Sequence, residues 1–466
     1  MNLSWQHLLA FLFAVGLLVT VHEFGHYWVA RRFNFKVLRF SVGFGKPLIE
    51  RTGKDGTVYA IAMLPLGGYV KLLDEREGPV ATSELSRSFT RKPPWQRILV
   101  LLAGPAFNII FAILVLWGMF WHKGTLEEPR PVVGDVVAES IAGKAGLRSG
   151  DRIVALDGEP VLTRRNVIFG LMDSVSANGH VVLTVQQGKD GPARQADLKV
   201  GDGEERRKLT EPMALFNGLG FQFWEPPVPA VIAKVEPGSP AATTELQKGD
   251  RLLEANGRSL RDYYDLLDVI SKTKPGDELN LRYDRNGESK TVRVVLGTVP
   301  NNSSQKGYLG VWPVLQKLPQ DMIVTTTLTP YSALGAAAYE AWDMTLLQAR
   351  LVWRMVMGNV SLKNLSGPLS IAEFAGESAS DGVNSFLNFL VLISLSLGFL
   401  NLLPIPILDG GQVVFQLVEW LKGSPLSERA QAFGQQVGIA LLILLMGVAL
   451  FNDVARQIGP QIVSGP

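Results

Sequence analysis

Two histidines and a glutamate lie toward the far end of the first apolar segment of the chain, where ionisable side chains are costly. Residues 8–21 are apolar, and the motif H-E-x-x-H runs directly after them from His22 to His26. On a helix, positions i and i+4 share a face, so both imidazoles can reach one ion while Glu23 lies beside it. Imidazole is a good Zn²⁺ ligand, and a neighbouring carboxylate can take a proton from a metal-bound water. The alternative is a pair of structural histidines bonded to backbone carbonyls.

The composition is typical of a membrane protein with attached soluble domains. The chain has 466 residues, of which 47% are hydrophobic and 19% charged. A net charge of +2 gives no argument for nucleic-acid binding, and the absence of cysteine excludes disulfides and Cys-ligated metals. A transition-metal site must therefore use His, Asp or Glu. Residues 1–7 carry no Lys or Arg, so we expect the first apolar segment to be a retained span rather than a cleaved signal peptide.

Four apolar stretches predict transmembrane helices, at roughly 6–30, 98–120, 384–403 and 434–452. The segment 31–97 holds thirteen Lys and Arg residues against six Asp and Glu, which predicts that this loop is cytoplasmic. Both termini and residues 121–383 then lie on the outer side.

Asp409 is predicted to lie at the same membrane depth as the histidines. His22 is about 16 residues into a span entered from outside, roughly 24 Å deep. The third span runs in the same direction and ends in the sequence NLLPIPILDGG, which begins at Asn401. Its two prolines forbid a regular helix, so this backbone must line a cavity or the protein interior. A carboxylate ligand completes the usual set of three protein ligands plus water. The alternative is that Asp409 caps the helix that follows near Gly411.

The first cytoplasmic loop and the second span hold further candidate residues. Residues 36–73 alternate like a strand, with turn points that include Gly43 and Gly45. They are apolar for an aqueous loop, which favours a membrane-reentrant β-hairpin whose edge pairs with an unwound peptide; a plain structural hairpin is the alternative. In the second span, Gly104-Pro105 and Asn108 interrupt the apolar run, and Asn108 bonds either a catalytic-site group or a neighbouring helix.

The outer region carries an internal repeat. Residues 145–158 align with 244–257, and the Gly-Asp-Arg triplets that begin at Gly150 and Gly249 are 99 residues apart. We expect two small β-rich domains, with the stretch NGLGF at 217–221 lying between the two copies. Residues 334–357 suit an amphipathic helix on the membrane surface, with a fifth span as the alternative.

These observations predict a polytopic α-helical membrane protein with four transmembrane helices, a reentrant β-hairpin and two β-rich domains inserted between the second and third helices. The expected segments are 1–35 (first transmembrane helix), 36–97 (loop with the hairpin), 98–121 (second helix), 126–222 and 223–315 (β-rich domains), 316–383 (surface connector), 384–410 (third helix), 411–433 (cytoplasmic loop) and 434–466 (fourth helix and outer tail).

Taken together, these motifs resemble those of the site-2 protease family of intramembrane zinc metalloproteases, in the bacterial type that regulates the sigma-E response and carries two PDZ domains. The resemblance is carried by H-E-x-x-H at 22–26, AGPAFN at 103–108, the tandem repeat, and N-x-x-P-x-x-x-L-D-G at 401–410. It covers nearly the whole chain.

The resemblance implies hydrolysis of a peptide bond in the transmembrane segment of a single-pass membrane protein. It implies that His22, His26 and Asp409 bind Zn²⁺ and that Glu23 is the general base. The residues expected at the substrate-binding part of the site are Asn401, Pro404, Gly43, Gly45 and Asn108.

The resemblance also implies partners and a location. The substrates would be a pre-trimmed anti-sigma factor and remnant signal peptides, admitted past a PDZ pair that acts as a size filter. The protein would lie in the bilayer of the bacterial inner membrane, with PDZ domains and both termini in the periplasm. One departure concerns peptide tails: the GLGF stretch stands before the second repeat copy without an equally clear counterpart before the first. Among the two domains, this pattern favours the second as a binder of peptide ligands.

Two other classes of function remain open on the sequence. In a non-enzymatic PDZ membrane scaffold, the histidines would be structural, and Glu23→Gln would have no effect. A metal transporter would also place His and Asp in the membrane, but transporters often repeat their membrane halves, whereas here the repeat lies in the soluble part.

Overall fold

The structure, a computed structural model, describes residues 5–188, 191–211, 214–298 and 306–458. Within these residues, four helices are long and apolar enough to cross a membrane, and each overlaps a span predicted from the sequence. They are α1 (Trp5–Arg32), α2 (Pro94–Lys123), α10 (Val383–Asn401) and α12 (Glu428–Ile458). Helix α2 continues through Pro105 without a break, and α10 ends at Asn401, shortly before the two prolines that cannot extend it.

A β-hairpin connects α1 to α2, at the position expected from the sequence. Its strands are β1 (Val37–Thr52) and β2 (Val58–Leu72). Residues 39–42 of β1 pair with both 58–61 and 68–71 of β2, so the two long strands fold into a small curled sheet. Gly43 and Gly45 have φ angles of 91° and 90°, which only glycine adopts readily and which bend β1. The last segment of β2 packs against α1 through Val70 and Leu72.

Two β-rich domains with the same strand order lie between α2 and α10. Repeat domain 1 (132–224) contains β4 (Val133–Val136), α3 (Ile141–Lys144), β5 (Asp151–Leu156), β6 (Glu159–Pro160), α4 (Arg164–Ala177), β7 (His180–Gln187), β8 (Ala193–Lys199), α5 (Gly203–Leu209), α6 (Ala214–Leu219) and β9 (Phe221–Phe223). Repeat domain 2 (228–314) contains β10 (Ile232–Val235), β11 (Arg251–Ala255), β12 (Arg258–Ser259), α7 (Tyr263–Ser271), β13 (Glu278–Arg285), β14 (Glu288–Val295) and β15 (Val311–Pro313). The four-stranded sheets have the orders β6-β5-β7-β8 and β12-β11-β13-β14.

Each repeat domain closes by pairing its last strand with its first, and this corrects two expectations. Strand β9 pairs with β4, and β15 pairs with β10. Leu219 and Phe221 are buried in the core of repeat domain 1. The GLGF stretch, which the expected bounds 126–222 include, therefore leads into the closing strand of that domain and does not serve the second domain, whose repeat copy it precedes in sequence. The expected boundary between 222 and 223 also cuts through β9. In repeat domain 2, Gly310 has the same left-handed φ as Gly220, 81° against 78°, and is its counterpart.

A two-stranded ribbon outside both domains joins the chain segments that enter and leave them. Strand β3 (Thr125–Pro129) pairs with β16 (Ile323–Thr327) along its whole length. Residues 126–129 were expected in the first β-rich domain, but their partners lie in the connector, and the core of repeat domain 1 begins at Val133.

The connector packs on the membrane helices. Its helices are α8 (Pro330–Val356) and α9 (Pro368–Asp381). The amphipathic helix expected at 334–357 is present as α8, but its buried residues Ala337 and Ala341 cluster with Ala112 of α2 and Val391 of α10. Helix α9 contributes Ala375 to a second cluster with α1 and α10. The apolar stripe of α8 therefore faces two spans rather than only the membrane surface.

Helix α11 (Asp409–Lys422) fills much of the expected cytoplasmic loop. Asp409 is its first residue and Leu408 occupies the N-cap position, so the alternative that Asp409 caps a helix beginning near Gly411 is wrong. An ion pair of 2.8 Å between Arg97 and Glu419 holds α11 to α2.

Candidate metal centre

Three side chains from two distant parts of the chain meet at one point. The Nε2 atoms of His22 and His26 lie 3.2 Å apart. The Oδ2 atom of Asp409 is 3.1 Å from the first and 3.5 Å from the second. The structure therefore brings together two imidazoles and one carboxylate, the donor set that catalytic Zn²⁺ sites use.

Close packing between α1 and α2 depends on glycine at two positions. A Cβ atom added to Gly25 would lie 2.5 Å from the Ala103 carbonyl oxygen, and one added to Gly104 would lie 2.3 Å from His26 Nε2. Both distances are far below van der Waals contact. The two glycines therefore let α2 lie directly behind the histidine rings. The H-E-x-x-H motif alone does not reveal this packing role of Gly25 and Gly104.

Groups on α2 hold both imidazole rings from behind. The Nδ1 atom of His26 is 2.7 Å from the Val100 carbonyl oxygen, which can only accept a hydrogen bond. This contact fixes the ring proton on Nδ1 and turns the lone pair of Nε2 toward Asp409. The Nδ1 atom of His22 lies 3.2 Å from Asn108 Nδ2. Asn108, which was expected at the substrate-binding part of the site, therefore contacts a catalytic-site group, and its backbone carbonyl also accepts a bond from Ser394 on the neighbouring helix α10.

Asp409 is placed by a compact turn between α10 and α11. A Cβ atom on Gly410 would lie 2.2 Å from the Leu402 carbonyl oxygen, and one on Gly411 would lie 2.1 Å from that of Ile405. The side-chain amide of Gln412 donates a bond of 2.8 Å to the Pro406 carbonyl. The D-G-G sequence therefore folds the start of α11 tightly onto the turn, and this fixes the direction of the Asp409 carboxylate.

A cavity of about 240 Å³ opens beside the three side chains. It is lined by His22, Glu23, His26, Asp409, Tyr69, Val70, Leu72, Phe89, Val100 and Leu101. A Cβ atom on Gly68 would lie 3.1 Å from Glu23 Cγ, so the end of β2 passes close to the glutamate. The sequence pattern predicted Gly67 and Gly68 as turn points, but they lie within β2, where Gly68 allows this close approach of backbone.

The other predicted site residues do not line this cavity. Gly43 and Gly45 lie in the bent part of β1, where Gly43 packs on the backbone of Ala62 and Leu64. Asn401 is the last residue of α10, and Pro404 lies in the turn before α11.

Comparison with known proteins identifies the family. The family description "Peptidase family M50" matches residues 10–445. The chain is 38% identical over 456 residues to the Regulator of sigma-E protease RseP of Escherichia coli K12, which covers 98% of this chain and 100% of the relative. It is 39% identical over 459 residues to Protease RseP of Yersinia pestis, with the same coverage. Among solved structures, the PDZ domain of an SdrC-like protein from Listeria monocytogenes is 23% identical, covers 18% of this chain and 85% of its own, and has a TM-score of 0.17.

A histidine pair and an aspartate inside a bundle of apolar helices, in a chain matched over nearly its full length by peptidases, define a membrane-embedded metallopeptidase. The chain belongs to peptidase family M50, the site-2 protease family. It is an intramembrane protease of a zinc-dependent family, as the sequence predicted. The alternatives of a non-enzymatic scaffold and a metal transporter are wrong.

Proposed function

We propose that His22, His26 and Asp409 bind one Zn²⁺ and that Glu23 is the general base for hydrolysis of a transmembrane peptide. The observation that carries this proposal is the separation of the three donor atoms, 3.1 to 3.5 Å. Ligands about 2.0–2.1 Å from a tetrahedral metal ion lie about 3.3 Å from one another. An ion held by these three residues would lie next to the cavity that Glu23 lines.

Glu23 is the group that moves protons in this proposal. Zinc, when bound, would polarise the scissile carbonyl and lower the pKa of a water molecule at the site. The Glu23 carboxylate would take a proton from the attacking water and return it to the nitrogen of the leaving amine. Asp409, already in contact with both imidazoles, would serve as a ligand and not as a second base.

The substrate would lie along the end of β2 in an extended form. Carbonyls of a transmembrane helix are bonded within the helix, so the segment must unwind before one of them can be attacked. Tyr69, Val70 and Leu72 line the cavity beside Glu23, where an unwound segment would add as a strand to the sheet. Gly43, Gly45, Asn401 and Pro404 would support this arrangement by shaping the sheet and the α10–α11 turn.

The natural substrates we propose are single-pass membrane proteins, namely a pre-trimmed anti-sigma factor and remnant signal peptides. Support comes from the Escherichia coli relative, whose name is Regulator of sigma-E protease RseP. The repeat domains would be a PDZ pair that filters substrates by size, with peptide tails as additional ligands. The protein would lie in the bacterial inner membrane with the repeat domains and both termini in the periplasm.

The metal assignment is tested by ligand replacement in the purified full-length protein. We expect His22→Ala, His26→Ala and Asp409→Asn each to lose bound zinc and the cleavage of a model single-span substrate. His122→Ala, at the exposed outer end of α2, is the matched control and should retain both. A ligand variant with wild-type zinc content would contradict the assignment.

The orientation is tested by thiol labelling, because the chain has no native cysteine. Single cysteines at Lys54 and Lys290 are expected to react with an impermeant maleimide from opposite sides of the inner membrane. Labelling of both from the periplasm would overturn the proposed topology without affecting the zinc assignment.

A further inference from the structure

Asn108 is the one polar side chain of α2 that contacts a proposed zinc ligand. It is fully buried, and its Nδ2 atom lies 3.2 Å from Nδ1 of His22. Its Oδ1 atom is also buried and has no hydrogen-bond partner among the residues that the structure describes. Ser394 donates a bond of 2.8 Å to the backbone carbonyl of Asn108, which fixes this residue against α10.

The two histidines differ in the group behind each ring. Behind His26 stands the Val100 carbonyl, which accepts a hydrogen bond and never donates one. Behind His22 stands a carboxamide, which carries a donor on one side and an acceptor on the other. A half-turn about the Cβ–Cγ bond exchanges these two atoms with almost no change in shape. The tautomer of His26 is therefore fixed, whereas that of His22 has a partner able to support either form.

We propose that Asn108 is a positioning residue that selects the zinc-binding tautomer of His22. The inference rests on the zinc site proposed above. A neutral imidazole that binds a metal ion through Nε2 carries its proton on Nδ1, where it must donate. The carboxamide then presents Oδ1 as acceptor, which also gives the buried oxygen the partner that it otherwise lacks. Without metal, Nδ2 donates to Nδ1, and the His22 proton on Nε2 bonds Asp409 at 3.1 Å.

The test is the rate of zinc release from purified full-length protein to an excess of a chromogenic chelator. We expect Asn108→Leu, which removes both polar atoms in a similar volume, to release zinc roughly ten- to a hundredfold faster than wild type. Asn108→Asp should restore slow release, because a carboxylate accepts the Nδ1 proton of His22. Asn108→Ala, which also removes both polar atoms, serves as a second variant should the leucine variant not fold, and it should release zinc faster than wild type as well.

Ser394→Ala is the matched control. It removes a buried hydrogen bond to the same residue, between α10 and α2, but leaves the carboxamide untouched. We expect its zinc release to stay within about twofold of wild type, since hydrogen bonds that do not touch a ligand have little effect on the metal. The visible absorption of the Co²⁺-substituted protein gives a second readout: it should change in Asn108→Leu, and Asn108→Asp and Ser394→Ala should keep a wild-type-like spectrum.

The outcomes separate this inference from the proposed function. Zinc release at the wild-type rate in Asn108→Leu, or equal acceleration in Asn108→Asp and Asn108→Leu, would overturn the positioning role while leaving the zinc site in place. Wild-type protein that binds no zinc would instead overturn the proposed function itself.

Discussion

The two repeat domains share one fold but differ in how they are held to the membrane part of the protein. In each, a fully buried aspartate accepts a backbone N–H bond, from Arg148 to Asp151 at 2.7 Å and from Gln247 to Asp250 at 2.8 Å. Each aspartate also pairs with an arginine of its own domain. This shared element stabilises the domains internally and does not explain how they are attached.

Several ion pairs join repeat domain 1 to the membrane-packed connector. On α4, Arg165 pairs with Glu340 of α8, and Asp173 pairs with Arg354 at 2.9 Å. Lys363 of the connector pairs with Glu211 at 2.9 Å. The ion pairs described for repeat domain 2 all join residues of that domain. The comparison indicates a domain docked on the membrane helices and a second one attached mainly through its chain ends.

The open edges of the closing strands differ as well. In repeat domain 2, the Tyr263 hydroxyl donates a 2.6 Å bond to the Val311 carbonyl, and Pro313 has no N–H to offer a peptide. In repeat domain 1, the corresponding strand β9 consists of Phe221, Gln222 and Phe223, all of which carry an N–H. Together with the GLGF assignment, this reverses the sequence-based preference and favours repeat domain 1 for strand addition by a peptide.

The largest difference is expected from core substitutions in the equivalent helices α4 and α7. Leu171 and Leu266 are both fully buried, so replacement of either by Ala should lower the free energy of unfolding of its domain by about 2–5 kcal/mol. In Leu171→Ala, limited proteolysis with mass spectrometry should find new cuts in both repeat domain 1 and the connector near Ser361, which bonds Thr210. In Leu266→Ala, the cuts should stay within 228–314. Identical cleavage maps in the two variants would contradict the difference in attachment between the two repeat domains.

A smaller effect is expected from the docking contact itself. The Arg354 guanidinium is half-buried, donates hydrogen bonds to the Ser176 hydroxyl and the Asp173 backbone carbonyl, and forms an ion pair with the Asp173 carboxylate. Hydrogen bonds to charged groups contribute about 1.5–3 kcal/mol each, so Arg354→Ala should markedly loosen repeat domain 1. Hydrogen exchange in lipid nanodiscs should show roughly tenfold faster exchange of α4 amides. Arg258→Ala, which removes ion pairs within repeat domain 2, is the matched control; an equal response of α4 there would contradict independent attachment.

The smallest effect is expected from acid on repeat domain 2. Hydrogen bonds from the side chain and backbone of Arg261 lower the pKa of Asp265 to about 2. Burial acts to raise the pKa of Asp250, but bonds from Arg285 and the Gln247 N–H outweigh it and leave that pKa below its usual value. A lowered carboxyl pKa stabilises the fold while the group is ionised, so this contribution is complete above about pH 4 and is lost toward about pH 2.

Pepsin digestion between pH 5 and 2 measures this acid response. Cuts within 228–314 should increase as the pH falls. The increase should be smaller in Asp265→Asn, because the amide at position 265 does not titrate and the stability that the Asp265 carboxylate contributes is already absent at every pH. A wild-type domain that is as resistant at the lowest pH as at the highest would show that these ion pairs do not stabilise it.

Short sequence motifs predicted that the two histidines and Asp409 meet, because this proximity follows from the spacing of residues within a helix and from the direction of the spans. The i, i+4 relation of His22 and His26 is a property of any helix, and the common direction of the first and third spans placed Asp409 at a similar depth. The contact of Asn108 with His22 depends on how α2 is rotated against α1. That rotation is set by Gly25 and Gly104, whose role is visible only in the packed structure.

Non-local pairing explains the errors in the fold prediction. Strand β9 pairs with β4 across most of repeat domain 1, so the GLGF stretch next to the second copy in sequence belongs to the first in space. The stripe of alanines on α8 has the same periodicity whether it faces lipid or other helices. Its contact with Ala112 and Val391 became clear only from the structure.

The most direct test of the account compares wild type with Glu23→Gln in purified, detergent-solubilised protein. Zinc per chain and cleavage of a model single-span substrate are measured on the same preparations. Because Glu23 is not a proposed ligand, the variant should keep about one zinc per chain and lose cleavage. A wild type without zinc, or a variant that cleaves at the wild-type rate, would contradict the assignment of Glu23 as general base beside a zinc site.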